Sequence, residues 1–383
     1  MTNMDAPTAT RFAAAAATGQ DWGTTTKACL DRLGNVAGSN LGFLYLTDGL
    51  ADDAGSILTL LRAVTGIRDW VGTIGLGICA SGEEYFDQPA MAVMAAYLPP
   101  EQFHTFGPVT EPLTRFDGEI AEWLAREGPI FGLIHGDPRH PQIGEIIPDL
   151  AEAANGFLVG GLTSSRSGFS QFAGYRGGDA IVEKGVSGVL FSPELPVATG
   201  LTQGCSPIGP MRTVTRADGN VLFEIDGRPA LDVFKEDIGE LLARDLRRVA
   251  GYIFAALPIP GSDTGDYLVR NLMAIDPRQG WIAIAEEVAP GDQIVFCRRD
   301  PDSARADLGR MLRQLKGRLP GPPRAGIYIS CIARGEALFG EPGIETGLIR
   351  ETLGDFPLIG FFANGEISRD RLYGHTGVLT VFT

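Results

Sequence analysis

The chain has 383 residues, 44% apolar and 21% charged, the composition of a packed protein of two or three domains, which excludes a mainly disordered chain. Acidic residues outnumber basic ones by 47 to 32, a formal net charge of −15. A phosphate backbone or an anionic membrane is therefore repelled at long range, and neither nucleic acid nor a membrane is an expected partner.

No stretch reaches the roughly 18 uninterrupted apolar residues of a membrane span. The alanine run 13–17 lacks the basic start and long apolar core of a signal peptide. Cys29, Cys79, Cys205, Cys297 and Cys331 include no C-x-x-C pair, which fits neither a disulfide framework nor a zinc ribbon. A reducing cytoplasm is the expected setting.

In chain order, a helix is predicted over 21–33, a strand over 41–47, and a helix over 54–65 whose Ile57, Leu60, Leu61 and Val64 recur at helical spacing. A small-residue strand and turn at 71–83 and a strand at 91–98 complete this unit. The order recurs with a helix at 118–127, a strand from 129, a helix over 142–155 that Pro148 should kink or delay, and strands from 157 and 185. A third copy runs through helix 302–316, strand 325–331, helix 345–353, the segment 357–366 and the last strand. Helix 230–248 and strand 251–257 look like the start of a fourth, degenerate copy.

The spacing Gly77-x4-Gly82-Glu83 matches Gly360-x4-Gly365-Glu366, and Gly161 matches in the second copy. A repeated helix–strand–helix–strand–strand unit gives parallel strand pairs joined by helical crossovers. The expected fold class is α/β with an α+β tendency: two related domains with mixed β-sheets flanked by helices. Alternating residues around Asp218-Gly219 predict a hairpin. The helix that follows puts a domain boundary near 230, giving a tail (1–20), a first domain with the hairpin (21–229) and a second domain (230–383).

The blocks TQGCSPIGP (202–210), DGRPALDVF (226–234), SCIARGEALFG (330–340), PLIGFFANGEI (357–367) and GHTGVLTVF (374–382) together resemble the FIST family, over about residues 20–383. The resemblance implies paired FIST N- and C-terminal domains, a sensory small-ligand-binding role, and amino acids as suggested ligands. The family occurs in bacterial signalling proteins and, with an F-box, in eukaryotic ubiquitin-ligase adaptors. This chain carries no kinase or cyclase motif, so a sensor of this kind is expected to signal through a partner protein.

Ligands of open α/β sheets bind beyond the carboxyl ends of strands, a rule that selects Asp48, the turn His135-Gly136-Asp137, and the segment from Cys331 to Gly335. Arg334 could clamp a carboxylate through two parallel hydrogen bonds, or hold Glu336 or a loop carbonyl instead. Asn364, Glu366 and His375 are polar residues in apolar C-terminal strands; each could fix a ligand, or serve as a turn residue, an exposed carboxylate and a carbonyl partner respectively. Gly204 and Cys205 lie in a turn-rich loop that is either a lid or anion nest, or a crossover between domains. That loop lacks the lysine of a P-loop.

His135, Asp137 and His140 are metal-binding types, but Pro138 and Pro141 make their segment an extended turn, so a solvated turn and no metal are expected. The sequence names no cofactor. The leading expectation is a small-ligand sensor for an amino acid or other small carboxylate. The alternatives are a cysteine-dependent acyl-transfer or hydrolytic enzyme using Cys331 as nucleophile and His375 as base, and a ligand-free adaptor scaffold.

Overall fold

The computed structural model describes residues 10–128, 130–174, 181–249, 251–259 and 267–383. Residues 1–9 of the expected tail and Pro129, at the start of an expected strand, lie outside them. Arg11–Thr18, also placed in the tail, is instead a strand paired antiparallel with Ala90–Tyr97. The chain forms two compact units that do not divide at 230. The first takes residues up to 202 together with 308–372 and 376–383, and the second takes 203–307 and 373–375.

The first unit contains three copies of one topology. In each, a central strand is flanked by a parallel partner reached through a helix and by an antiparallel partner later in the chain. The central strands are Leu41–Thr47, Phe131–Gly136 and Ala325–Cys331. Their parallel partners are Asp69–Gly75, Phe157–Leu162 and Leu358–Ala363, and their antiparallel partners are Ala90–Tyr97, Val186–Phe191 and Thr376–Phe382.

The equivalent glycines are Gly72, Gly160 and Gly360, which face Leu44, Ile134 and Tyr328 in the parallel registers. A Cβ on any of the three would overlap the carbonyl oxygen of the residue it faces, so close approach of the two strands requires glycine. This corrects the match of Gly77 with Gly360. Gly77 begins the hairpin strand Gly77–Ala80, one step after the parallel strand, and Gly161 is one residue out of register.

Each copy sends the strand that follows its parallel partner into another copy's sheet. Gly77–Ala80 pairs with Leu358–Ala363, Gln171–Ala173 with Asp69–Gly75, and Glu366–Arg369 with Phe157–Leu162. The exchange is cyclic. The inner faces of all three sheets share one core, which includes Phe43, Tyr45, Leu133, Val189, Ile329 and Phe361. Helices cover the outer faces: Cys29, Ile57 and Leu61 over the first sheet, Trp123, Ile146 and Leu150 over the second, Leu308, Leu312 and Ile349 over the third.

Two helices differ in detail from expectation. In Ala54–Thr65 the buried stripe is Ala54, Ile57, Leu58 and Leu61, and Val64 is left 60% exposed, because two stripes had helical spacing and the sheet selects one. Ile143–Ala153 continues through Pro148. The carbonyl that loses its partner belongs to Gly144, which is exposed and can bond water.

The second unit is not a fourth copy. Its strand Ile253–Pro258 pairs antiparallel with both Tyr267–Asp276 and Gln293–Arg299. With Arg212–Asp218, Val221–Ile225 and Trp281–Ile284, the sheet closes on itself with every described pairing antiparallel. The expected helix 230–248 breaks after Ala230–Ile238, where Gly239 adopts φ 79°. Leu231, Val233 and Phe234 from that helix fill the core of this unit.

Candidate functional site

The positions that the strand-end rule selects lie at equivalent places in the three copies, and their environments differ. In the third copy, Arg334 is 1% exposed and already paired. Its Nε donates to Glu345 Oε1 at 2.8 Å, and Nη2 lies 2.8 Å from the same oxygen. Glu345 also accepts from the Tyr328 hydroxyl at 2.6 Å, the Ser330 hydroxyl at 3.1 Å and the Gly335 N–H at 3.0 Å. Burial works against the Arg334 charge, but the Glu345 carboxylate outweighs it and holds the guanidinium above its ordinary value. Gly335 has φ 56°, and a Cβ there would meet the Phe86 and Phe362 rings. The expectation that Arg334 presents an open charge thus meets a guanidinium neutralised from within the chain.

Glu366 is fully buried, not an exposed strand-end carboxylate. One oxygen accepts from the Thr376 N–H at 3.0 Å and the Thr376 hydroxyl at 2.8 Å. Burial pushes its carboxyl up to about 7, opposed by those bonds, by one from the Cys331 thiol and by the Arg334 charge. Glu84, from the first copy's hairpin, reaches the Thr346 N–H at 3.4 Å, and burial and the Glu345 charge push it to about 7 as well. Cys331, Arg334, Gly335 and Glu366 are therefore brought together, in a closed ionic cluster that sequence reasoning did not complete. Glu345 reads as an ordinary first-turn helix acid, and only the fold turns it inward.

Asn364 is exposed on the turn beyond its strand, with its N–H on the Leu162 carbonyl at 2.9 Å. His375, Gly204 and Cys205 belong to the second unit. There the His375 ring packs on Phe254 at 4.3 Å, its carbonyl accepts from the Gly204 N–H at 2.8 Å, and Cys205 is buried beside Cys297. The Cys331–His375 nucleophile and base pairing draws no support from either unit taken by itself.

In the second copy, His135 is not on a solvated turn. It is buried in its strand with Nε2 3.1 Å from the Tyr45 hydroxyl, and burial pushes its imidazole down to about 3, so it is neutral. Asp137 is gripped by Arg139 through Nε and Nη2, both at 2.9 Å, and His140 Nδ1 accepts from the Gln142 N–H at 3.3 Å. The three metal-binding types have separate partners.

The first copy leaves its strand end open. A crevice of about 230 Å³ lies there, lined by Thr47, Asp48, Leu76, Asp87, Gln88 and Arg166. Asp48 Oδ1 anchors the arriving loop, accepting from the Ser165 hydroxyl, from the Arg166 N–H at 3.1 Å and from the Ser167 hydroxyl at 3.3 Å. The Arg166 guanidinium rests 3.2 Å from Asp87 in an exposed ion pair. The Thr47 hydroxyl fixes the opposite loop through the Gln88 carbonyl and the Ala90 N–H, both at 2.7 Å. Sequence reasoning selected Asp48 and missed Arg166. The available signal was the run Ser164-Ser165-Arg166-Ser167-Gly168 straight after a strand, a loop composition carrying one charge.

The first unit is thus a three-copy α/β body with charges of both signs at one open strand end. The chain belongs to the FIST family: the FIST N domain matches residues 40–228 and the FIST C domain residues 230–369. FIST domains are associated with small-ligand-binding sensory roles. An uncharacterized protein of Mycobacterium tuberculosis is 32% identical over 344 residues, covering 86% of this chain and 88% of its own. Another, of Mycobacterium bovis, is 31% identical over 363 residues, covering 89% of each. The solved structure of T. maritima PurL complexed with ATP aligns at 12% identity over 97% of this chain and 71% of that one, with a TM-score of 0.23, too low to support an argument. Among the described residues, no helix is long and apolar enough to cross a membrane.

Proposed function

We propose that the protein is a sensor that binds an amino acid or other small carboxylate metabolite in the crevice of the first copy and passes the signal to a partner protein. The observation that carries this reading is an open crevice at the carboxyl ends of a parallel strand pair with Arg166 and Asp48 on its walls. The exposed Arg166–Asp87 pair contributes little on its own, so a ligand carboxylate displaces Asp87 at small cost and takes the planar fork of Arg166. Asp48 holds its loop through Oδ1, which leaves Oδ2 to accept from an ammonium group. Loop ordering at this anchor is the change a partner would read.

Calorimetric titration with the twenty amino acids and with succinate tests the reading. At least one should bind, and Arg166→Ala should weaken it about tenfold or more, with Arg166→Lys only partly restoring it. The unfolding temperature should stay unchanged because this side chain is exposed. Equal affinity for wild type and Arg166→Ala would remove the crevice from consideration.

A further inference from the structure

A larger cavity of about 560 Å³ lies in the same unit at the amino ends of strands, where Phe131 and Phe157 begin the parallel pair of the second copy. Its walls are Phe131, Phe157, Leu195, Val197 and the turn carrying Pro193 and Pro196, with Arg318, the last residue of helix Pro301–Arg318, as the one full charge among the described lining residues. The two rings are nearly parallel, 12° apart with centroids 6.4 Å from each other. This is a different chemistry from the crevice. The volume falls in the ordinary range for small-molecule sites, and a mainly apolar wall with a few polar groups, here Ser192, Thr199 and Arg318, is their usual make-up.

The polar groups at the rim decide the sign of the ligand. Arg318 is exposed, and its Nη2 donates to the Thr199 carbonyl at 2.6 Å, which fixes the guanidinium at the mouth and leaves its remaining N–H groups for an anion. Arg369, outside the described lining, places a positive charge 5.9 Å over the Phe157 ring. Two acids stand nearby, Glu127, which accepts from the Ser192 hydroxyl at 2.6 Å, and the exposed Glu194, which accepts from the Gln102 amide at 3.4 Å; neither is among the described lining residues. Proline at 193 and 196 stiffens the wall, so little ordering is needed on binding.

We infer that this groove binds an amphipathic organic anion, an aliphatic or aromatic body bearing one carboxylate or sulfonate, with the body on Phe131, Phe157 and Leu195 and the anionic end on Arg318. A net charge of −15 opposes non-specific uptake of any anion, so a preference for an anion over the matching neutral alcohol must come from a local cation.

The test uses the full chain and the fluorescent sulfonate 1-anilinonaphthalene-8-sulfonate, displaced by decanoate or decanol. The expected result is saturable binding of one probe per chain, with decanoate displacing it at least tenfold better than decanol. Arg318→Gln should abolish that difference. Pro196→Trp, which fills the mouth, should abolish probe binding while leaving thermal unfolding and the amino-acid response of the crevice unchanged. If Pro196→Trp disturbs folding, Phe157→Ala serves instead and should weaken the probe and both competitors together. Absence of saturable binding, equal displacement by decanol and decanoate, or undiminished binding in a folded Pro196→Trp or Phe157→Ala protein would overturn the inference.

Discussion

At the scale of single residues, the same guanidinium that sequence reasoning assigns to a ligand is committed to Glu345, and this inverts the expected effect of its removal. Arg334→Ala leaves a buried carboxylate with three neutral donors and no countercharge, a loss of roughly 3–5 kcal/mol for a broken buried pair. The melting temperature should fall steeply with little selective effect on ligand binding. Arg334→Lys should rescue only part of it, because an ammonium cannot place two nitrogens against Glu345 as Nε and Nη2 do. Thermal and urea unfolding of the two variants check this. Glu366 makes a second prediction, on pH. Its carboxyl stands near 7 in the folded chain against 4.5 ordinarily. Between those values the folded protein keeps a proton that the unfolded chain has released, so this group's contribution is complete below about 4.5, falls as pH rises to 7 and is level above. Glu366→Gln is neutral throughout. The stability difference between variant and wild type should therefore shift in the variant's favour by about 3 kcal/mol from pH 4 to pH 8. A difference independent of pH would show the carboxyl to be ionised in the folded state.

Elements were far more legible than their partners. The helices at 22–33, 118–127 and 143–153, the central strands and the hairpin at Asp218-Gly219 all follow from local spacing and turn chemistry, which a sequence carries openly. The glycine alignment failed because close strand approach, and not a shared turn, is what fixes Gly72, Gly160 and Gly360, and the residues they approach are a whole helix away in the chain. The ionic cluster was half legible: Cys331, Arg334 and Glu366 stood out, whereas Glu345 and Glu84 come from a helix start and another copy's hairpin. The cyclic exchange of hairpins had no local signal. It does have a measurable consequence, because a lesion in one copy should be felt in the sheet its hairpin joins. Ile78 is fully buried opposite Phe361, and Ile78→Ala should cost roughly 2–5 kcal/mol. Amide hydrogen exchange should accelerate in Leu358–Ala363, some 280 residues downstream, more than in the adjacent strand Asp69–Gly75. Acceleration confined to residues 69–75 would contradict the exchanged pairing.

For the whole molecule, the family boundary at 228–230 and the physical boundary are different things. Cutting the chain there separates Gly77–Ala80 from Leu358–Ala363 and Phe157–Leu162 from Glu366–Arg369. It also strips the common core of Ile329 and Phe361, and Phe361 stacks on Tyr45 at 5.1 Å. Further strands lose their partners as well, Val197–Gln203 and, in the second unit, Arg212–Asp218 and Val221–Ile225. Several sheet edges and the inner faces of two sheets would then lie open to water, an apolar exposure that the remaining contacts do not offset. Residues 1–229 expressed alone should therefore lack a cooperative thermal transition and a dispersed amide spectrum, and should aggregate through the open edges. Adding residues 230–383 as a second chain should restore both, since the missing strands then return in trans with no change of register. The control is a nick in the intact protein at Gly227, which lies on an exposed turn with φ 71°; proteolysis there should leave the two pieces associated and folded. A fragment 1–229 that melts cooperatively by itself would mean that the first two copies close their core without the third, and the cyclic exchange would then be an addition to a self-sufficient domain instead of the condition for it.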